Sequence, residues 1–246
     1  MQNLNGLVVA ISGASSGIGQ ATAQHLAGLG ARVVIGARRV DRLETLAAEL
    51  RARGGLVTAR ALDVCDRGSF EAFVADTESV YGRIDVLVNN AGVMPLSAFS
   101  ALRVDDWNRT LDVNVRGVLH GIAAALPRMK QQRAGHFINV ASIGAHRSYP
   151  GCGVYCASKF AVWAISDALR QEELDGDIRV TTISPGTTAS ELADHIADAA
   201  AADAMKSFRA VTIEPEAVAR AIAFAIAQPQ DVDVSEIVIL PTRSPA

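Results

Sequence analysis

Seven short runs of β-branched and aliphatic residues, each separated from the next by a longer amphipathic stretch, constrain this chain more than any other feature. They read LVVAIS at 7–12, RVVIGA at 32–37, LVTARAL at 56–62, IDVLVNN at 84–90, HFINVAS at 136–142, IRVTTIS at 178–184 and EIVILP at 236–241. Several are apolar at both odd and even positions, the pattern of strands covered on both faces. Helical periodicity fills the intervals near 17–29, 39–53, 67–81, 105–131, 153–175 and 214–228. This alternation predicts an α/β architecture: a doubly wound parallel sheet of about seven strands flanked by helices. No Gly/Pro/Ser-rich linker divides the chain, so one domain over 1–246 is expected.

The turn after the first strand reads SGASSGIG at 12–19 and opens the first helix. Gly13, Gly17 and Gly19 let the backbone approach a pyrophosphate closely, and the helix start around Ser15, Ser16 and Ile18 offers unpaired N–H groups to it. The same string would also make an ordinary serine-capped turn. Its place after strand one favours a Rossmann-type dinucleotide site. An NAD site wants an acid at the end of the second strand, but the chain has Gly36-Ala37-Arg38-Arg39 and no acid before Asp41. Two cations at a helix start oppose its dipole unless an anion lies between them. A 2′-phosphate would be that anion, gripped by Arg38 with Ser15 or Arg39, so NADP(H) is expected over NAD(H). The alternative is a solvated arginine pair. Asp63 and Val64, after the third strand, are placed to meet the adenine, although an acid there also caps helices, as Asp66 is placed to do.

Tyr155 and Lys159, in YCASK at 155–159, stand four residues apart and so share one helix face. A free tyrosine with pKa about 10 is a poor base at neutral pH, and bringing it to about 7 takes some 4 kcal/mol. A lysine charge about 4 Å away supplies energy of that order at an effective dielectric near 20. The pair is either a tuned general acid/base or an accident of composition, and the spacing alone leaves both open. Cys152 and Cys156 flank Tyr155, but two thiols without further ligands make a poor zinc site, and no metal is expected.

Taken together, SGASSGIG, NNAG at 89–92, Asn114 in DVNVRG, Ser142 in VASIG, YCASK and SPG at 184–186 resemble the short-chain dehydrogenase/reductase family in order and spacing. The likeness covers nearly the whole chain. It implies a catalytic set of Asn114, Ser142, Tyr155 and Lys159, with Asn90, Ala91 and Gly92 beside the cofactor ribose. Ser142 would donate to the substrate oxygen, Lys159 would hold ribose hydroxyls, and Asn114 would order a water leading from Lys159. The family's usual Pro-Gly-x-Val-x-Thr is here Pro185-Gly186-Thr187-Thr188-Ala189-Ser190. That departure makes Thr188 and Ser190 the candidates for the nicotinamide carboxamide, alongside Pro185 and Gly186. Ser12 replaces the family's usual threonine and keeps the hydroxyl.

The implied reaction is reversible hydride transfer between NADP(H) and a small carbonyl or alcohol. GTTASEL and ILPT are similar to the branch acting on small hydroxy acids, alcohols or aldehydes, near the clavulanate-type aldehyde reductases. A 3-oxoacyl carrier-protein reductase is the alternative, its acidic partner docking on Arg128, Lys130 and Arg133. A non-catalytic NADP sensor is a third reading, one that leaves Tyr155 and Lys159 without a use. Candidate substrate contacts are His146, Arg147 and Tyr149 in the loop before Tyr155, with Glu191 and His195 in a lid around 187–212. The alanine-rich part of that lid, 189–204, is expected to be helical and weakly anchored.

A net charge of -3 gives no global reason to expect nucleic acid or an anionic membrane as partner. No leader-like N-terminus and no membrane-length apolar run is visible, so a cytoplasmic location is expected. The resemblance implies a homotetramer or homodimer through helices 105–131 and 153–175. Val154, Phe160, Val162, Trp163 and Leu169 exceed the needs of one buried helix face.

Overall fold

The computed structural model describes residues 4–175, 177–194 and 196–243. All seven expected strands form: β1 (Val8–Ser12), β2 (Arg32–Ala37), β3 (Leu56–Ala61), β4 (Val86–Asn89), β5 (Gly135–Val140), β6 (Ile178–Pro185) and β7 (Glu236–Ile239). They make one sheet in the order β3-β2-β1-β4-β5-β6-β7, parallel throughout. The winding reverses between β1 and β4, and a crevice opens there beyond the carboxyl ends of the strands.

Strand side chains alternate between two cores, as a period of two requires. Val9 and Ile11 of β1, with Val33 and Ile35 of β2, face α1 (Gly17–Gly28), α2 (Val40–Ala52) and α8 (Pro215–Ile226) through Leu26, Leu43 and Ile222. Ala10 and Val34 face the opposite way, toward Phe70 and Phe73 of α3 (Arg67–Tyr81) and Met129 of α5 (Gly117–Gln132). Both faces of β1 are buried, which accounts for its uninterrupted apolar run.

The stretch expected as one helix over 105–131 is continuous but not uniform. α4 (Val104–Leu111) passes through a single π turn, Asp112–Arg116, into α5. A π turn adds a residue to the helical repeat and re-aims the side chains on it. Asn114 lies on that turn and is buried. Its Oδ1 accepts from the Val93 N–H at 2.8 Å, and its Nδ2 donates to the Val93 carbonyl and to Ser158 Oγ, both at 3.0 Å.

The 189–204 stretch departs further from the expectation. Among its described residues only a 3₁₀ turn (Glu191–Ala193) and α7 (Ala199–Phe208) are helical, α7 starting where the Asp198 side chain accepts from the Ala201 N–H. The excursion is closed at its base by a parallel bridge between Thr188 and Ile213 and by Thr187 Oγ1 donating to the Val211 carbonyl at 2.6 Å. Both ends are thus tied together.

On α6 (Gly153–Glu172), Val162 and Leu169 are core residues, while Phe160 and Trp163 are exposed. Among the described residues, no helix is long and apolar enough to cross a membrane.

Candidate active site

One cleft of about 520 Å³ runs across the switch point and takes lining from the ends of β1 through β6 and from the 186–209 excursion. Its floor is fixed by a hydroxyl. Ser12 Oγ accepts from the N–H groups of Asn90 and Ala91 at 3.1 and 3.2 Å, while Asn90 Nδ2 donates to the carbonyls of Ser12 and Gly13. The ends of β1 and β4 are stitched together this way, and the serine does what the family's threonine hydroxyl would do.

Two glycines are required by space. Gly13 has φ +67°, and a Cβ there would fall 2.6 Å from Ala91 Cα. At Gly19 a Cβ would fall 2.5 Å from both Asn90 Nδ2 and the Gly13 carbonyl oxygen. Gly19 therefore packs the turn without lining the cleft, whereas Gly13, Ser15, Ser16, Gly17 and Ile18 do line it. The Ser16 side chain does not cap α1, and no acid occupies the helix's first turn, so the N-terminal N–H groups are left for a ligand. A backbone cradle of this shape, at a helix start, fits a dinucleotide pyrophosphate.

Ser16 gives its hydroxyl to Arg39 instead. The Arg39 guanidinium donates to Ser15 Oγ at 3.1 Å, to Ser16 Oγ at 2.8 Å and to Glu191 Oε2 at 2.8 Å. Arg42 takes the other oxygen of Glu191 at 2.8 Å. The Arg39 and then the Arg42 guanidinium hold the Glu191 carboxyl down at about 2. Glu191, expected as a substrate contact, does line the cleft, and the turn after Ser190 lays its carboxylate over the glycine turn against α2. Arg38 is exposed at the cleft rim, and its side chain makes no hydrogen bond or ion pair among the described residues. Asp63 and Val64 line the same end, and Asp66 caps α3 through the Gly68 and Ser69 N–H groups.

At the other end stand Ser142, Tyr155 and Lys159, brought together from β5 and α6. A Cβ placed on Gly144 would lie 3.5 Å from Ser142 Oγ and 3.6 Å from the Tyr155 ring, so the serine and the tyrosine close on the same turn. Asn114 does not line the cleft. Its bond to Ser158, whose hydroxyl donates to the Tyr155 carbonyl at 2.6 Å, fixes the start of α6. The expected water-ordering side chain is thus occupied by protein partners, a consequence of the π turn aiming it at Val93.

Burial dominates the electrostatics of the Tyr/Lys pair. Burial pushes the Tyr155 phenol up to about 12, opposed by the Ser142 hydroxyl beside it. Burial also draws Lys159 down to about 8. The ammonium donates to the Val140 carbonyl at 2.8 Å and stands 5.9 Å from the centre of the Tyr155 ring. The two side chains share a helix face, and desolvation is the largest influence on each.

Of the expected substrate contacts, Tyr149 lines the cleft, its ring edge-on to Phe208 at 5.5 Å. His146 does not. The 3₁₀ turn after Ser142 carries it to the β7 edge, where Nε2 meets Glu236 at 2.9 Å and Ser184 at 3.3 Å. Arg147 is exposed and outside the cleft lining, and His195 lies outside the described residues. Pro185, Gly186, Thr188 and Ser190 all line the cleft, as do Asn90, Ala91 and Gly92. Sequence reading missed Met94, Leu96, Met205, Phe208 and Arg209, which complete the wall opposite Tyr155. Burial pushes Cys152 up to about 11, leaving an unreactive thiol.

The sequence profile described as short chain dehydrogenase matches residues 7–201. The chain belongs to the short-chain dehydrogenase family. It is 43% identical over 244 residues to an uncharacterized oxidoreductase of Staphylococcus saprophyticus subsp. saprophyticus, covering 98% of each chain. Among solved members, an alcohol dehydrogenase of Thermococcus sibiricus complexed with 5-hydroxy-NADP superposes with TM-score 0.87 at 29% identity, covering 98% of each. A Burkholderia phymatum member in complex with NAD gives 0.89 at 28%, covering 97% of this chain and 90% of that one. Serine dehydrogenase of Escherichia coli gives 0.80 at 28%, covering 94% and 96%. This short-chain dehydrogenase is an oxidoreductase whose family binds nicotinamide cofactors.

The cations proposed to receive an acidic carrier are engaged elsewhere. Arg128 pairs with Glu78, Lys130 with Glu173 at 2.9 Å and Arg133 with Asp177 at 3.9 Å. They cluster at the carboxyl end of α5, which leads into the start of β5, whereas the cleft opens beyond the strand ends.

Proposed function

We propose that the protein is an NADP(H)-dependent reductase of small carbonyl compounds, working reversibly on the corresponding alcohols. The observation that carries this is the convergence of Ser142, Tyr155 and Lys159 at one end of a cleft whose other end is a glycine cradle rimmed by Arg38, Arg39 and Arg42. The cradle would hold the pyrophosphate, and the arginines the 2′-phosphate. A bound reduced nicotinamide supplies the hydride. Ser142 Oγ donates to the substrate oxygen as negative charge develops there. Tyr155, protonated throughout the neutral range because of its burial, delivers the proton to that oxygen. The Lys159 ammonium, which donates to the Val140 carbonyl, stabilises the phenolate left behind until it regains a proton from solvent. Asn114 positions α6 through Ser158 without touching substrate.

The whole chain works as one domain, with 187–212 as the lid. Exposed Phe160 and Trp163 on α6 and Leu119 on α5 support pairing with a second copy, as dimer or tetramer, in a cytoplasmic setting. Incubation with NADPH and a panel of short aldehydes, ketones and oxo acids tests this reading. Protein-dependent loss of reduced-nicotinamide absorbance is expected with at least one class, at turnover on the order of 1–1000 per second. Nucleotide binding without consumption across the panel would favour a sensor instead.

A further inference from the structure

The wall facing Tyr155 carries two polar groups that the proton chemistry does not use. Arg209, at the end of α7, lines the cleft close enough to Tyr155 for its charge to favour the phenolate. One of its terminal nitrogens donates to the carbonyls of Thr188 and Ser190, at 2.8 and 3.0 Å, which fixes the side chain. No carboxylate pairs with it among the described residues; Glu191 next to Ser190 is taken by Arg39 and Arg42. The remaining guanidinium N–H groups are therefore uncommitted in a partly buried place, where an unneutralised cation is costly. The second group is the Tyr149 hydroxyl, a buried oxygen with no hydrogen-bond partner among the described residues. Tyr149 meets Phe208, the residue before Arg209, edge-on, which ties the loop before α6 to the end of α7. The cleft lining also includes the apolar Met94, Leu96, Leu192 and Met205, with a further cation, Arg109, which is exposed.

We propose that Arg209 and Tyr149 bind the carboxylate of a short oxo acid, or of the matching hydroxy acid, and present its carbonyl to Ser142 and Tyr155. A guanidinium fork and a phenolic O–H are the donors a carboxylate takes, and each is left unmatched without one. A cleft of about 520 Å³ that must also admit a dinucleotide leaves room only for a small acid. The inference rests on the reductase reading above and specifies its substrate class. It also replaces His146 and Arg147, which lie outside the cleft lining, as the anchor for an acidic substrate.

The test compares kcat/KM for a short 3-oxo acid with that for its methyl ester, using NADPH and the whole protein. The wild type is expected to favour the acid by at least about tenfold, and Arg209→Gln to collapse that ratio by roughly ten- to a hundredfold, chiefly through KM. Glutamine still donates to one of the lid carbonyls, and Arg209→Lys should restore part of the ratio. Tyr149→Phe should lower it several-fold. An acid-to-ester ratio near one in the wild type, or one unmoved in Arg209→Gln, overturns the proposal. So does an Arg209→Gln variant whose main defect is weaker NADPH binding, which would make the cofactor's phosphate the anion. If the wild type reduces neither compound nor any other carbonyl, the reductase reading itself fails, an outcome distinct from an ester used as well as its acid.

Discussion

Tyr155→Phe is expected to lower kcat by roughly 10²- to 10⁴-fold, the range contributed by a positioned proton donor, while NADPH affinity stays within several-fold. The substitution removes one hydroxyl and leaves the ring and its packing against Gly144 in place. A phenol held up at about 12 is protonated across the neutral range, so it serves as an acid there without adjustment. Reduction should therefore vary little with pH near neutrality. Alcohol oxidation, which needs the phenolate, should accelerate as pH rises. Steady-state kinetics in both directions check this. Undiminished turnover in the variant would remove Tyr155 from the proton transfer.

The second large effect concerns the cofactor. Arg39→Ala should weaken NADPH binding by roughly ten- to a hundredfold, the worth of a lost charge-assisted pair, and leave NADH nearly unaffected. Glu191→Gln should act in the opposite direction and tighten NADPH up to about fivefold, the scale of an exposed ion pair. The reason is competition. Glu191 satisfies Arg39 and Arg42 with its two oxygens, and a 2′-phosphate on those guanidiniums must displace it. Arg38→Ala should cost less than Arg39→Ala, because Arg38 is exposed and held by no hydrogen bond, whereas Arg39 is already anchored on Ser15 and Ser16. Titrations of the three variants with each nucleotide give the comparison. A weaker NADPH complex in Glu191→Gln would show that the carboxylate supports the site.

The strands were legible because runs such as β1 and β2 are largely apolar on both faces, and both faces are indeed covered. The glycine turn was legible for a similar reason. Close approaches such as Gly13 to Ala91 leave no room for another residue, so their trace survives in the sequence. The π turn at Asn114 was not legible: one extra residue per repeat leaves the apolar pattern of 105–131 nearly unchanged and alters only where Asn114 points. Arg209 was hidden as well. Its place depends on the excursion folding back through the Thr188–Ile213 bridge, a contact between distant residues within an alanine-rich stretch that carries little pattern. The Tyr155–Lys159 spacing sets a shared face, but the burial that dominates the electrostatics of both groups comes from the packing around them and leaves no trace in that spacing. His146 and Tyr149 lie three residues apart in one loop, and only the 3₁₀ turn after Ser142 decides which of them reaches the cleft.

The most direct test needs no substrate: titrate the wild-type protein with NADPH and with NADH and follow nucleotide fluorescence. Saturable binding of reduced nicotinamide, with NADPH at least tenfold tighter, is the expected result and the scale a few charge-assisted contacts to one phosphate provide. Equal affinities would contradict the role given to Arg39 and its neighbours. Binding of neither nucleotide would contradict the cradle at Gly13–Gly19, and with it hydride transfer at Ser142, Tyr155 and Lys159.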